Sequence, residues 1–216
     1  MPKVSSTRTK LRDMTAMEGL SFAEAFAKSL EDEGVIATQG AAEQSLCVTE
    51  IETPLGAMVA IADGKGLMML EFFDRRIFGA QVKAVTRASA SGLYLGENTI
   101  TAQIKAELAA FFAGHSAIFR TPLTLHGTEF VQSVWRALLE VPAGETCSYG
   151  ALARTLDHPR AVRAVAQANG ANRLAIIVPC HRVIGADGSL TGYGGGLWRK
   201  RWLLDHEARH FGKGLL

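Results

Sequence analysis

Cysteine is scarce in this chain. Its 216 residues include three, Cys47, Cys147 and Cys180, an odd number at wide spacings. A disulfide framework is thereby excluded, and a reducing compartment is expected: the cytoplasm, or the nucleus in a eukaryotic source. No CxxC pair is present, and neither a metal nor any other cofactor is expected. Long hydrophobic runs are missing too. None approaches the roughly 20 residues of a membrane span, and the first residues lack the apolar stretch of a secretory signal, so no membrane partner is expected. Nor does one sign of charge prevail, with 23 Lys/Arg against 21 Asp/Glu. What remains is an ordinary globular composition, 48% hydrophobic and 20% charged. It suffices for one large domain or two small ones and is too apolar for global disorder.

The charge is unevenly divided. Residues 127–216 hold 11 Lys/Arg and 7 Asp/Glu, whereas residues 1–126 hold 12 and 14. A basic second half fits a nucleic-acid face, and it fits an ordinary solvated surface equally well. Residues 1–45 form a poorly defined extension. Met1–Lys10 is polar and expected to fray, and Leu20–Leu30 carries Leu20, Phe22, Phe26 and Leu30 on one side of an amphipathic helix. Leu46–Phe73 reads as three strands, with a turn at Thr53–Gly56 and a hairpin turn at Asp63–Gly66. Residues 74–97 are mixed in pattern, and Ala88–Gly96 reads as loop. Ile100, Ile104, Leu108, Phe111 and Phe112 then recur at helical spacing until Gly114. Residues 46–114 thus form a scaffold domain of strands and a helix, and 115–127, with Pro122 and Gly127, a linker.

Residues 128–216 carry the denser signals. Thr128 is placed to cap a helix with Phe130, Val131, Val134, Trp135, Leu138 and Leu139 on one face. Ser148 caps a second helix, Tyr149–Leu156. Asp157-His158-Pro159 turns the chain, and a third helix is predicted from Pro159 to about Asn169. Two helices joined by so short a turn indicate a helix-turn-helix. On the third, Val162, Val165 and Asn169 share the inward face, and Ala161, Ala164, Ala168 and Ala171 form a stripe of small side chains beside Arg160, Arg163 and Gln167. Such a stripe allows close approach to DNA, with arginines for phosphate contacts or a wedge; alanines that merely favour helix would look the same.

Leu174–Val178 is a short apolar run read as a buried strand. Pro179 ends it, and Cys180-His181-Arg182-Val183 follow. Only a thiolate is a good nucleophile, and an adjacent histidine can take the proton if a third group orients it. A buried cysteine beside a hydrogen-bonded histidine is the inert reading of the same pair. Asp187-Gly188 marks a hairpin turn, and Gly192–Gly196 is a loop with little side chain to keep its main chain from a ligand. Leu197–Glu207 reads as a last helix with Trp198, Trp202 and Leu203 or Leu204 in the core. Glu207 stands near its C-terminal end, where the helix dipole disfavours a carboxylate. Its expected partner is His181.

Pro179-Cys180-His181-Arg182-Val183, preceded by Asn172 and followed by Gly192-Tyr193 and the glycine-rich loop, resembles the O6-alkylguanine-DNA alkyltransferases, also called methylated-DNA–protein-cysteine methyltransferases. The likeness spans about Leu46–Glu207 and is strongest over Thr128–Glu207. It implies an α/β (α+β) fold: a small N-terminal antiparallel-sheet domain similar to ribonuclease H in outline, and a C-terminal winged helix-turn-helix bearing the reactive cysteine. The implied activity is direct-reversal repair of double-stranded DNA containing O6-alkylguanine by a monomer that acts once. O4-alkylthymine is left open as a second substrate.

The resemblance also implies roles. Arg163 fills the gap left by the flipped nucleotide, with Arg160, Ala161, Ala164, Gln167 and Ala168 along the DNA-facing helix. Tyr149 pushes on the 3′ phosphate and protonates guanine N3. Cys180 attacks the alkyl carbon, His181 deprotonates it through a water, Glu207 orients His181, and Asn172 braces the site. The carbonyls of Cys180 and Val183 accept from the guanine amino group, and the Tyr193–Gly194 loop donates toward O6. Gly194 stands where some relatives carry serine, and Ala175 where some carry proline. Bulky aromatic O6 adducts are therefore expected to bind less well, and strong inhibition by free O6-benzylguanine would contradict this. Two other classes fit less well. Lesion-binding relatives without chemistry have tryptophan in place of Cys180, and Cys-His hydrolases or thiol transferases usually keep nucleophile and base apart in sequence.

Overall fold

The computed structural model describes residues 19–35, 37–38 and 45–212. Its first half is built on three consecutive strands, β2 (Leu46–Ile51), β3 (Met58–Ala62) and β4 (Leu67–Phe72), paired antiparallel with Val48 opposite Ile61 and Ala60 opposite Leu70. Asp63 closes the β3–β4 turn by accepting from the amides of Lys65 and Gly66 at 2.7 and 2.8 Å. The strands are apolar on both faces because both faces are covered. Val48, Val59, Ile61 and Met69 pack on one side with Phe26, Leu30, Phe78, Val82 and Val85. Met58, Ala60, Leu70 and Phe72 pack on the other with Ile104, Leu108 and the core of the second half.

The sheet is mixed, which corrects the purely antiparallel expectation. Its order is β1-β5-β2-β3-β4, where β5 (Leu93–Leu95) runs parallel to β2 and β1 (Ala37–Thr38) parallel to β5. Residues read as mixed or loop supply β5 and a helix, α2 (Phe78–Ser89). Part of the segment read as an extension belongs to this half: α1 (Phe22–Leu30) starts at Ser21, whose hydroxyl and amide exchange hydrogen bonds with Glu24, and it buries Phe26 and Leu30 while Leu20 stays exposed. Met1–Lys10 lies outside the described residues. Helix α3 (Thr99–Phe112) is capped by Asn98, which accepts from Thr101 N at 2.9 Å, and the chain leaves it at Gly114, φ +74°.

In the second half, Thr128 caps α4 (Glu129–Leu139) and Ser148 caps α5 (Tyr149–Thr155), each through its hydroxyl. The third helix, α6 (Val162–Gly170), begins later than Pro159, because Asp157 turns into the left-handed region (φ 59°) and the chain needs His158–Ala161 to come round. Trp135 Nε1 donates to Ala168 O at 2.8 Å and ties α4 to α6. A two-stranded parallel pair, β6 (Cys147–Ser148) with β7 (Val183–Ile184), and the final helix α7 (Leu197–His210) complete the domain. Leu203 is fully buried on α7, whereas Trp198, expected in the core, is 57% exposed.

Candidate active site

Leu174–Val178 is not a strand. Its side chains are buried, but the backbone forms a turn in which Leu174 bridges to Leu70 and Ile176 takes φ 72°, an unusual conformation for a β-branched residue. Asn172 holds this turn together. Its Oδ1 accepts from Leu174 N at 3.0 Å, and its Nδ2 donates to Val178 O at 2.8 Å and to the Cys180 sulfur at 3.1 Å. Cys180 opens one tight helical turn, Cys180–Arg182, rather than sitting at a strand's mouth. The thiol is 7% exposed. Burial pushes its pKa up to about 11, against the opposing pull of the Asn172 amide and the nearby Arg75 and Lys200 cations.

The same turn aims His181 at α7. His181 is fully buried, and its Nε2 lies 2.8 Å from Glu207 Oε1. Glu207 also accepts from Arg182 Nε at 2.9 Å and Nη2 at 2.8 Å and from Gly144 N at 3.3 Å. Burial raises the Glu207 pKa, but the hydrogen bonds and charges of His181 and Arg182 outweigh it and hold the carboxyl at about 2. An ionised carboxylate only accepts, so Nε2 carries the proton and Nδ1 keeps a free lone pair. That Nδ1 is buried and has no hydrogen-bond partner among the described residues. Burial also lowers the His181 pKa, against the raising effect of Glu207. The imidazole is therefore neutral, correctly protonated and open at one nitrogen, as a general base requires.

The remaining expected residues fall into two groups. Tyr149 is half-buried at the start of α5 beside Thr191 and Gly192, and burial raises its phenol. Tyr193 and Gly194 line the cleft above Cys180, and the Tyr193 ring meets His181 edge to face at 6.5 Å. Val183 O, expected to meet the guanine amino group, already accepts from the buried Lys200 at 2.6 Å and keeps a second lone pair. Arg160, Arg163 and Gln167 are exposed and Ala161 and Ala164 half-exposed on α6 or its approach. Ala168 is 2% exposed and faces Trp135, so it cannot contact DNA; α6 turns Val165, Ala168 and Asn169 inward instead, while Val162, expected on that face, is 37% exposed.

Sequence reading missed several groups here. Glu71 and Arg75 reach the cleft from β4 and the turn after it, and Asn169 lines it from α6. Lys200 and Arg182 were passed over because a cation in an exposed-looking pattern carries no sign that it will be buried. His206-Glu207-Ala208-Arg209-His210 has a metal-ligand spacing that was also overlooked. It is taken up by packing: His206 stacks on Trp202, its Nε2 lies 2.8 Å from Phe111 O, and Glu207 serves His181 and Arg182. No group of three ligating side chains converges among the described residues.

Residues 129–209 match the profile of the 6-O-methylguanine DNA methyltransferase, DNA binding domain. The methylated-DNA–protein-cysteine methyltransferase of Mycobacterium leprae is 45% identical over 157 residues, 73% of this chain and 89% of the relative. The chain belongs to the methylated-DNA–protein-cysteine methyltransferase family. Among solved structures, the family's Mycobacterium tuberculosis member in complex with DNA superposes with a TM-score of 0.67 at 40% identity, covering 77% of this chain and 95% of that one. The O6-methylguanine-DNA methyltransferase of Pyrococcus kodakaraensis, 23% identical with a TM-score of 0.54 over 75% of this chain and 98% of its own, shares the fold. The methyltransferase family's two-part α/β architecture is thus the one described above.

Proposed function

We propose that this monomeric protein removes an alkyl group from O6 of guanine in double-stranded DNA by transferring it, once and irreversibly, to Cys180. The observation that carries the reading is the arrangement around the sulfur: a thiol in a cleft beside a neutral histidine, with one ring nitrogen fixed by an ionised carboxylate and the other without a partner among the described residues.

The thiol is not a ready nucleophile. With a pKa of about 11 it is ionised in roughly one molecule in ten thousand at pH 7, a cost of about 5 kcal/mol. Coupling proton loss to attack lowers that cost. The thiol proton passes, through a water, to His181 Nδ1, and the sulfur lone pair forms the S–C bond. The C–O6 bond breaks with its electron pair moving into the guanine ring, and Tyr149 gives N3 a proton so that neutral guanine leaves. Arg163 and Gln167 contact the duplex from α6 and Arg160 from the turn before it, and Arg163 fills the space the flipped base vacates, offsetting an unstacking cost of a few kcal/mol. The product is a thioether with no leaving group that water could displace, so the protein does not turn over.

The test mixes the protein with duplex DNA bearing one O6-methylguanine and weighs the intact chain. One methyl on Cys180, saturating at one lesion per chain, is expected, with Cys180→Ala binding the DNA but accepting nothing. Continued turnover, or repaired DNA with unmodified protein, overturns the reading. A lesion sensor without chemistry is disfavoured by the presence of Cys180 itself.

A further inference from the structure

The cleft over Cys180 is lined by residues of both halves of the molecule, yet it is narrow. Only about 20 Å³ of it admits the centre of a water molecule, room for roughly one water. A purine does not fit between walls so close. We propose that the Arg75 side chain is the gate of this pocket: it fills the volume a flipped O6-alkylguanine must take and has to withdraw before the base reaches Cys180. The proposal rests on the alkyl-acceptor reading above.

Arg75 extends from the turn after β4 into the second half. Its Nη1 donates to the Glu71 carboxylate and to Asn172 O at 3.2 Å, and its Nη2 to Gly170 O at 3.1 Å. The guanidinium presses so closely on the glycine loop that a Cβ added at Gly194 would lie 2.4 Å from Cζ. Glycine at 194 is thus what lets the gate close, where a serine would collide with it. Glu71 is 1% exposed and further fixed by Phe72 N at 3.0 Å, so it is a buried anchor for the cation. Two buried polar atoms on residues of the same lining, Tyr193 Oη and Asn169 Oδ1, have no hydrogen-bond partner among the described residues. A closed pocket leaves them unmet, and a purine edge offers both donors and acceptors.

The glycine loop is the other part that could move, but it is fastened more firmly. Arg199 donates to Gly195 O at 2.9 Å and is itself held by Leu55 O and Asp74, and Lys200 donates to Thr191 O at 2.6 Å. Freeing that loop breaks two buried cation sites. Withdrawing Arg75 breaks one such site, its pair with Glu71 and two carbonyl contacts, along a side chain with several rotatable bonds. A pocket open in a small fraction of molecules reacts more slowly by that fraction.

The experiment uses free O6-methylguanine, which needs the pocket but no DNA. Its second-order rate of labelling Cys180 is measured by intact mass for wild type, Arg75→Ala and Glu71→Gln/Arg75→Ala. The double variant leaves no unpaired buried carboxylate and serves if the single one does not fold. The rate is expected to rise about tenfold or more without Arg75. A rise below roughly threefold in a folded variant, or a fall, overturns the gate; a fall is the sign that a purely electrostatic aid to the thiolate would give. Methyl transfer from duplex DNA to the wild type is run in parallel. Failure there refutes the alkyl-acceptor reading, whereas success there with no acceleration in the variants refutes the gate alone.

Discussion

Glutamine at position 207 is the most informative single change. Glu207 is fully buried and accepts from His181, twice from Arg182 and from Gly144. Its carboxyl falls from an ordinary 4.5 to about 2 in the folded chain, a difference of roughly 2.5 units, or about 3 kcal/mol. The sign follows from the depressed folded value. This stabilisation is complete above the unfolded value and disappears as pH falls through the folded one. Glu207→Gln also strands the Arg182 guanidinium, and breaking a buried pair typically costs about 3–5 kcal/mol, which agrees in size. Urea unfolding at pH 7 should show a deficit of about 3 kcal/mol that narrows as wild type is titrated toward about pH 3. Single-turnover methyl transfer should slow by about 10²–10³, because an amide no longer dictates which ring nitrogen of His181 bears the proton. Unchanged stability at pH 7, or a deficit that persists undiminished in acid, would refute the reasoning.

Three further outcomes follow from the site. Arg163→Ala should slow transfer from duplex DNA by about tenfold while leaving labelling by a free base alone, since only the duplex has a stack to fill; equal duplex rates would remove the assignment. Asn172→Ala strips Leu174 N of its buried partner and Val178 O of one of its two donors, the Cys180 amide remaining, and should cost about 1–3 kcal/mol in urea unfolding. Burial keeps His181 below its usual pKa and the Cys180 thiol at about 11, so both stay neutral across the middle range and the coupled rate should be flat from about pH 7 to 9, declining only in acid as His181 protonates. A roughly tenfold rise per pH unit would instead identify pre-formed thiolate as the nucleophile.

The pairings within the site were easier to read from the sequence than the backbone around it. Cys180, His181 and Glu207 were legible because a carboxylate near a helix C-terminus needs a partner and an imidazole beside a thiol needs orienting. Caps at Ser148 and Thr128 were legible for the same local reason. Leu174–Val178 was misread because its apolar run reflects burial on all sides, which a turn can satisfy as well as a strand, and nothing in Ile176 announces a positive φ. Helix α2 went unseen because Ile77 offers no capping side chain and Gly79 looks like a break. That glycine is there for contact: a Cβ on it would lie 2.7 Å from Ser29 O of α1. Glu71 and Arg75 stand about a hundred residues before Cys180, and only the packing of β4 against the second half brings them to it.

The seclusion of the Cys180 sulfur has a use of its own. Oxidants and stray electrophiles find thiols through exposure and thiolate character, and Cys180 has little of either, at 7% exposure and a pKa of about 11. A reagent that works only once is ruined by any wrong encounter. On the alkyl-acceptor reading, burial keeps this atom intact until a damaged base arrives to claim it.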